Sequence, residues 1–113
     1  MNESKGSATR LSPQGNLGIE RATSLRAEIL ECFSGGGPVE FDFTAVGDLD
    51  LPCLQVLYAA RREALERGLS FRLSGKVASR IVKRLRASGF VTSMPESGAE
   101  LEASLLGWMG EAS

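Results

Sequence analysis

The chain has 113 residues, 13 Lys+Arg against 14 Asp+Glu and a formal net charge of −1; with 42% apolar residues it can bury one core but is too short for two. It contains no histidine, the commonest general base and metal ligand, which argues against hydrolase and metalloenzyme chemistry and leaves no cofactor or metal site expected. Cys32 and Cys53 lack metal-type spacing and do not make a disulfide framework, and no apolar run approaches the roughly 20 residues needed to span a bilayer, so membrane insertion is not expected.

Residues 1–7 are small and polar and are expected to form a disordered leader ahead of a single domain over residues 8–113. They have no apolar centre and do not resemble a secretory signal, so a cytoplasmic location is expected. Residues 8–12 predict a short edge strand, and Pro13, Gly15 and Gly18 punctuate a turn with a very short strand around Leu17. From Glu20, the apolar residues Ala22, Leu25, Ile29, Leu30 and Phe33 share one helical face, and Gly35, Gly36 and Gly37 stop that helix.

Val39, Phe41 and Phe43 alternate with Glu40 and Asp42, the period of two of a buried strand. Residues 44–50 then read as a tight acidic loop. From Pro52 the spacing of Leu54, Leu57, Ala60 and Ala64 is helical, Pro52 suits the first turn, Asp50 is placed as N-cap and Gly68 as C-terminal stop. Leu69, Phe71 and Leu73 alternate as a second clear strand. A third helix places Val77, Ala78, Ile81, Val82 and Leu85 inward and Lys76, Arg80, Lys83 and Arg84 outward, ending at Gly89. Phe90 and Val91 predict a last short strand, and Ser97 with Glu100 has capping-box spacing for a fourth helix carrying Leu101, Leu105, Trp108 and Met109 on one side. This alternation predicts an α/β sandwich: a mixed sheet of about four to five strands, partly parallel, with about four helices.

The residues at several of these places resemble the STAS domain family, which includes bacterial anti-sigma factor antagonists and cytoplasmic domains of sulfate transporters. The resemblance rests on Gly15-Asn16-Leu17-Gly18-Ile19-Glu20-Arg21-Ala22-Thr23-Ser24-Leu25, on the strand Val39-Glu40-Phe41-Asp42-Phe43-Thr44-Ala45-Val46, and on Asp50-Leu51-Pro52-Cys53-Leu54-Gln55. Leu69-Ser70-Phe71-Arg72-Leu73-Ser74-Gly75 and Ala87-Ser88-Gly89-Phe90 continue it, so that it covers about residues 8–91. Gln55 and Ala59-Ala60-Arg61-Arg62, with the late tryptophan, look most like stand-alone STAS proteins of bacterial chemotaxis gene clusters. The resemblance implies a non-enzymatic regulatory module that binds a protein partner, either an anti-sigma factor or related kinase-like protein or a chemotaxis component, in chemotaxis or stress signalling. It also implies that a serine or threonine should follow the loop aspartate as a phosphorylation switch. Here Leu51, Pro52 and Cys53 follow Asp50, and none carries a hydroxyl.

The resulting partner-binding candidates are Asp48, Leu49, Asp50, Leu51, Pro52 and Gln55 at the corner, with Arg61 and Arg62 setting orientation. The bland alternative makes Leu49 and Leu51 core residues and Asp50 a helix cap. Cys53 near a helix start is better explained as a small packed residue than as a nucleophile, since no Lys or Arg adjoins it in sequence. Between residues 61 and 86, Arg61, Arg62, Arg67, Arg72, Lys76, Arg80, Lys83, Arg84 and Arg86 face only Glu63 and Glu66. A basic run without interleaved aromatics is usually a solvated face; recognition of an acidic protein surface ranks above nucleic-acid binding. The Leu101, Leu105, Trp108, Met109 stripe packs either on its own domain or, as a second choice, against another copy in a homodimer or against a partner helix. The rival functional class is a small-molecule sensor or carrier that holds a nucleotide or lipid in the cleft between loop and sheet.

Overall fold

A computed structural model describes residues 8–108; the leader expected over residues 1–7, and Met109, lie outside them. The central strand is β3 (Val39–Asp42), whose alternating buried and half-buried side chains match the period read from the sequence. It pairs in parallel with β1 (Thr9–Leu11) on one side and with β5 (Phe71–Ser74) on the other, in the order β1-β3-β5. Register puts Arg10, Glu40 and Arg72 in one polar row, with Arg10 and Glu40 paired at 3.3 Å. Val39, Phe41, Phe71 and Leu73 point the other way into the core, where α1 (Ala22–Phe33) packs and the rings of Phe33 and Phe71 meet edge to face at 5.7 Å. α1 also packs against α2 (Leu51–Arg67), which buries Cys53, Leu54, Leu57, Ala60 and Ala64. The α/β architecture therefore follows the alternation in the sequence, and every pairing between named strands is parallel.

The structure corrects the reading of residues 44–50 as a loop. Both β1 and β3 break for a few residues and resume, as β2 (Gly15–Leu17) and β4 (Val46–Leu49), which again pair in parallel. β4 escaped notice because Gly47 and Asp48 have low strand propensity and its burial runs buried, exposed, half-buried, buried instead of alternating. Its order comes from its neighbour.

α2 ends at Gly68, whose φ of 71° in the left-handed region satisfies the last carbonyls at no steric cost, as the sequence requires of a stop there. α3 (Ser79–Ala87) starts later than its apolar pattern suggested, leaving Val77 and Ala78 in the approach to it. Phe90 and Val91 form no strand; the Phe90 carbonyl accepts from Leu106 N at 3.0 Å.

α4 (Gly98–Ser104) begins at the Ser97 cap, whose hydroxyl accepts from Glu100 N at 3.2 Å; the Glu100 carboxylate reaches back to Glu96 N at 2.7 Å instead of to Ser97 N. The helix is shorter than its apolar stripe, and Leu101, Leu105 and Trp108 are all buried in this same chain, so these three belong to its own core. α4 lies along the outer edge of β5. There the nearly buried Glu102 accepts from Leu73 N at 2.7 Å and from Arg72 Nε at 2.9 Å, and Gly98 sits against the Ser74 backbone.

A β-carbon at position 98 would fall 2.2 Å from Ser74 N and 2.6 Å from Leu73 C, both backbone atoms that cannot yield. Gly98→Ala should therefore lift α4 off β5 and cost about 2 kcal/mol or more, read as a lower urea midpoint together with faster hydrogen exchange at the Leu73 amide.

Candidate functional site

The corner between β4 and α2 is built by backbone first. Asp50 N donates to Leu17 O at 2.9 Å, which carries the β2–β4 pairing up to the residue before α2, while Asp50 O accepts from Cys53 N and Leu54 N at 3.0 and 3.1 Å. Asp50 thus stands at the N-cap with extended backbone, but its side chain makes no cap hydrogen bond, which corrects its expected role. With Leu49, Cys53 and Leu54 all fully buried, Leu51 is left to project outward and is 36% exposed. Pro52 is half-buried in the first turn and Gln55 is exposed one turn on.

The predicted site residues divide by this geometry. Leu51, Gln55 and Arg62 recur at four and seven along α2 and share its outer surface. Leu49 is core and is not available to a partner. Asp48 is mostly covered: its carboxylate accepts from Arg84 Nη2 at 2.7 Å, Arg84 Nε at 3.1 Å and its own neighbour Leu49 N at 2.8 Å. These bonds, Arg84 foremost, hold the Asp48 carboxyl below its ordinary pKa. Asp48 is therefore a clamp between β4 and α3, not a free acidic rim. Arg61 is also used internally: its Nε donates to Trp108 O at 3.2 Å, its Nη1 to Phe71 O at 3.3 Å, and its guanidinium lies 5.8 Å from the centre of the Trp108 ring. It ties α2 to the C-terminal segment and does not orient a partner.

Sequence reasoning missed Ile19, which is 66% exposed. Ile19 lies three residues before Ala22, so its spacing alone would put it on the buried face of α1. A 3-10 turn over Ile19–Arg21 breaks that phase and swings it out. Cys53 Sγ donates to Gly18 O at 3.2 Å and anchors this turn beside the first turn of α2. The corner thus leaves both Ile19 and Leu51 exposed on two segments joined by the Cys53–Gly18 bond, with Glu20 and Asp50 their sequence neighbours.

Burial pushes the Cys53 thiol up, with Asp50 adding to it, so the group stays protonated and serves as a donor inside the corner. Among the described residues no group of three or more His, Cys, Asp or Glu side chains is placed to hold a metal ion, and no helix is long and apolar enough to cross a membrane.

A family model described as "Mlab, STAS domain" matches residues 1–95. No curated protein matches the chain.

The clamp has a pH signature. Because the Asp48 carboxyl is held below its unfolded value of about 3.9, its contribution is complete above that value and is lost as pH falls through the folded one. Arg84 is well exposed, so the effect is partly screened by solvent and salt. Asp48→Asn should lower the urea midpoint by roughly a few tenths molar at pH 7, and the gap between variant and parent should narrow as pH falls below the ordinary carboxylate range and the Asp48 carboxyl takes up its proton.

Proposed function

The chain belongs to the STAS domain family, and from that premise we propose that it is a non-enzymatic regulatory module that docks a protein partner at the β4–α2 corner. The observation that carries this is that two large apolar side chains stay exposed on adjoining segments, Leu51 at the start of α2, where strand pairing fixes the backbone, and Ile19 in the 3-10 turn that Cys53 ties to it. Large apolar side chains on rigid backbone, ringed by polar groups, are the form of an interface anchor. Asp50, Pro52, Gln55 and Arg62 form the rim on this reading. The expected partner is an anti-sigma factor or related kinase-like protein, or a chemotaxis component, in the bacterial cytoplasm.

Two features support a binding role over catalysis. The chain has no histidine, and its corner thiol is protonated and already committed to the Gly18 carbonyl. The positions after Asp50 hold Leu51, Pro52 and Cys53, so a phosphate cannot be attached there, and Leu51 contributes affinity by burial where a hydroxyl would contribute a switch. Control of the partner then comes from relative concentration or from a modification elsewhere.

Burying a leucine that a charge must otherwise occupy is worth enough to decide binding. Leu51→Glu should weaken capture of the partner, identified by crosslinking and affinity purification, by at least about tenfold while the far-ultraviolet circular dichroism and urea midpoint stay near the parent. Undiminished capture by the folded Leu51→Glu protein would sink the proposal.

A further inference from the structure

The basic helix α3 is divided in use. On the side toward the corner, Arg84 pairs with Asp48, and Arg80 adds its charge to the same carboxylate. On the other side Lys83 and Arg86 have no acidic partner among the described residues; Arg86 Nη1 donates only to the Met94 sulfur, at 3.0 Å. Lys76, ahead of the helix, is likewise outside every ion pair among the described residues. A run of cations that merely keeps a helix in water would not distinguish its two sides.

The unpaired side borders apolar surface. Two hollows of about 530 and 420 Å³ adjoin at Met94, which is 49% exposed and lines both. Val77, Val82 and Pro95 give the larger hollow an apolar floor, with Lys76 at its edge and Thr44 beyond; Lys83 and Arg86 edge the smaller. Glu96 is the one acidic residue lining either. The result is a trough with cations at both ends and an exposed, adaptable methionine between them.

Spacing decides what fits. Lys76 lines the larger hollow while Lys83 and Arg86 line the smaller, and α3 advances about 10 Å from Ser79 to Arg86 at 1.5 Å per residue, so the cations stand at two separate hollows instead of converging on one phosphate or carboxylate. An extended chain covers that distance in about three to four residues at 3.3 Å each, and its side chains alternate, so acidic groups four residues apart share a face with an apolar side chain midway. We propose that this trough is a second docking surface, separate from the corner, which takes an extended acidic segment of a partner protein through two carboxylates and one central apolar anchor. The positive rim sets encounter and register, and burial against Met94 and Val82 sets lifetime.

The test is fluorescence anisotropy of the full chain with a labelled peptide of sequence Gly-Glu-Ser-Leu-Ser-Glu-Gly. Saturable binding is expected, weakened at least about tenfold when the peptide leucine becomes serine or both glutamates become glutamine. Lys83→Glu combined with Arg86→Glu should weaken it by a similar factor, and Met94→Glu likewise. These side chains are exposed, so the fold is retained, while Leu51→Glu should leave peptide binding unchanged. The proposal is overturned if the glutamine peptide binds equally well, or if the charge-reversed protein keeps its affinity. It is overturned as well if the peptide fails to saturate while the protein sediments with phosphatidylglycerol-containing vesicles through Lys83 and Arg86, which would make the trough a membrane-surface contact.

Discussion

The hydrogen bond from Asp50 N to Leu17 O is the interaction on which the corner depends. It continues the β2–β4 ladder to its last possible residue, and the carbonyl of the same Asp50 takes the first hydrogen bonds of α2. Asp50 alone separates strand from helix, because β4 ends at Leu49 and α2 starts at Leu51. The direction of the first helical turn is thereby set by the sheet. Leu49 and Cys53 must face inward, the Cys53 thiol draws the Ile19–Arg21 turn against α2, and Leu51 and Ile19 have only the outside left to them. Two exposed apolar side chains follow from buried ones next to them.

The opposite end of α2 is held by different means. The matched family stretch stops at residue 95, and α4 follows it from Gly98. β5 is the outer strand of its sheet, and an open strand edge is a template for unwanted pairing. Glu102 fills that edge by accepting the Leu73 amide, while Arg72 compensates its charge. Beyond α4, Trp108 packs on Phe71 and Tyr58, and Arg61 and Tyr58 bond to the carbonyls of Trp108 and Leu106. The Tyr58 and Arg61 side of α2 is thus bound to the C-terminal segment, while Leu51, Gln55 and Arg62 stay exposed on its outer surface, where the proposed docking lies.

What the sequence disclosed was whatever a residue shows through its near neighbours. The alternation of Val39, Phe41 and Phe43, the stop at Gly68 and the cap at Ser97 are local and were legible. β4 was not, since Gly47 and Asp48 carry no strand preference and the order comes from pairing with residues about thirty positions earlier. Asp48 looked like a free acid because its partner Arg84 is 36 residues away, and Arg61 looked like a surface cation because Trp108 is 47 residues away. Ile19 was concealed differently: its spacing fits the α1 face, and only the change from 3-10 to α geometry removes it. In each case the missing information was long-range or a break in helical phase.

The same clamp that hid Asp48 separates two surfaces of opposite character. On one side of the Asp48–Arg84 pair the corner offers Ile19 and Leu51 with Asp50 and Glu20; on the other the trough offers Met94 with Lys76, Lys83 and Arg86. Without the clamp, the Asp48 carboxylate of β4 would lie open beside a wholly unpaired basic helix, and each would draw the other's ligands. Pairing Asp48 with Arg84 removes one charge of each sign at the boundary, so that what remains of each field lies over its own apolar anchor. Electrostatics at this range selects partners more than it strengthens them. A module without a phosphate switch at Leu51 still has to discriminate, and on the proposed reading it does so by keeping an acid-flanked anchor and a base-flanked anchor apart on the two sides of one ion pair.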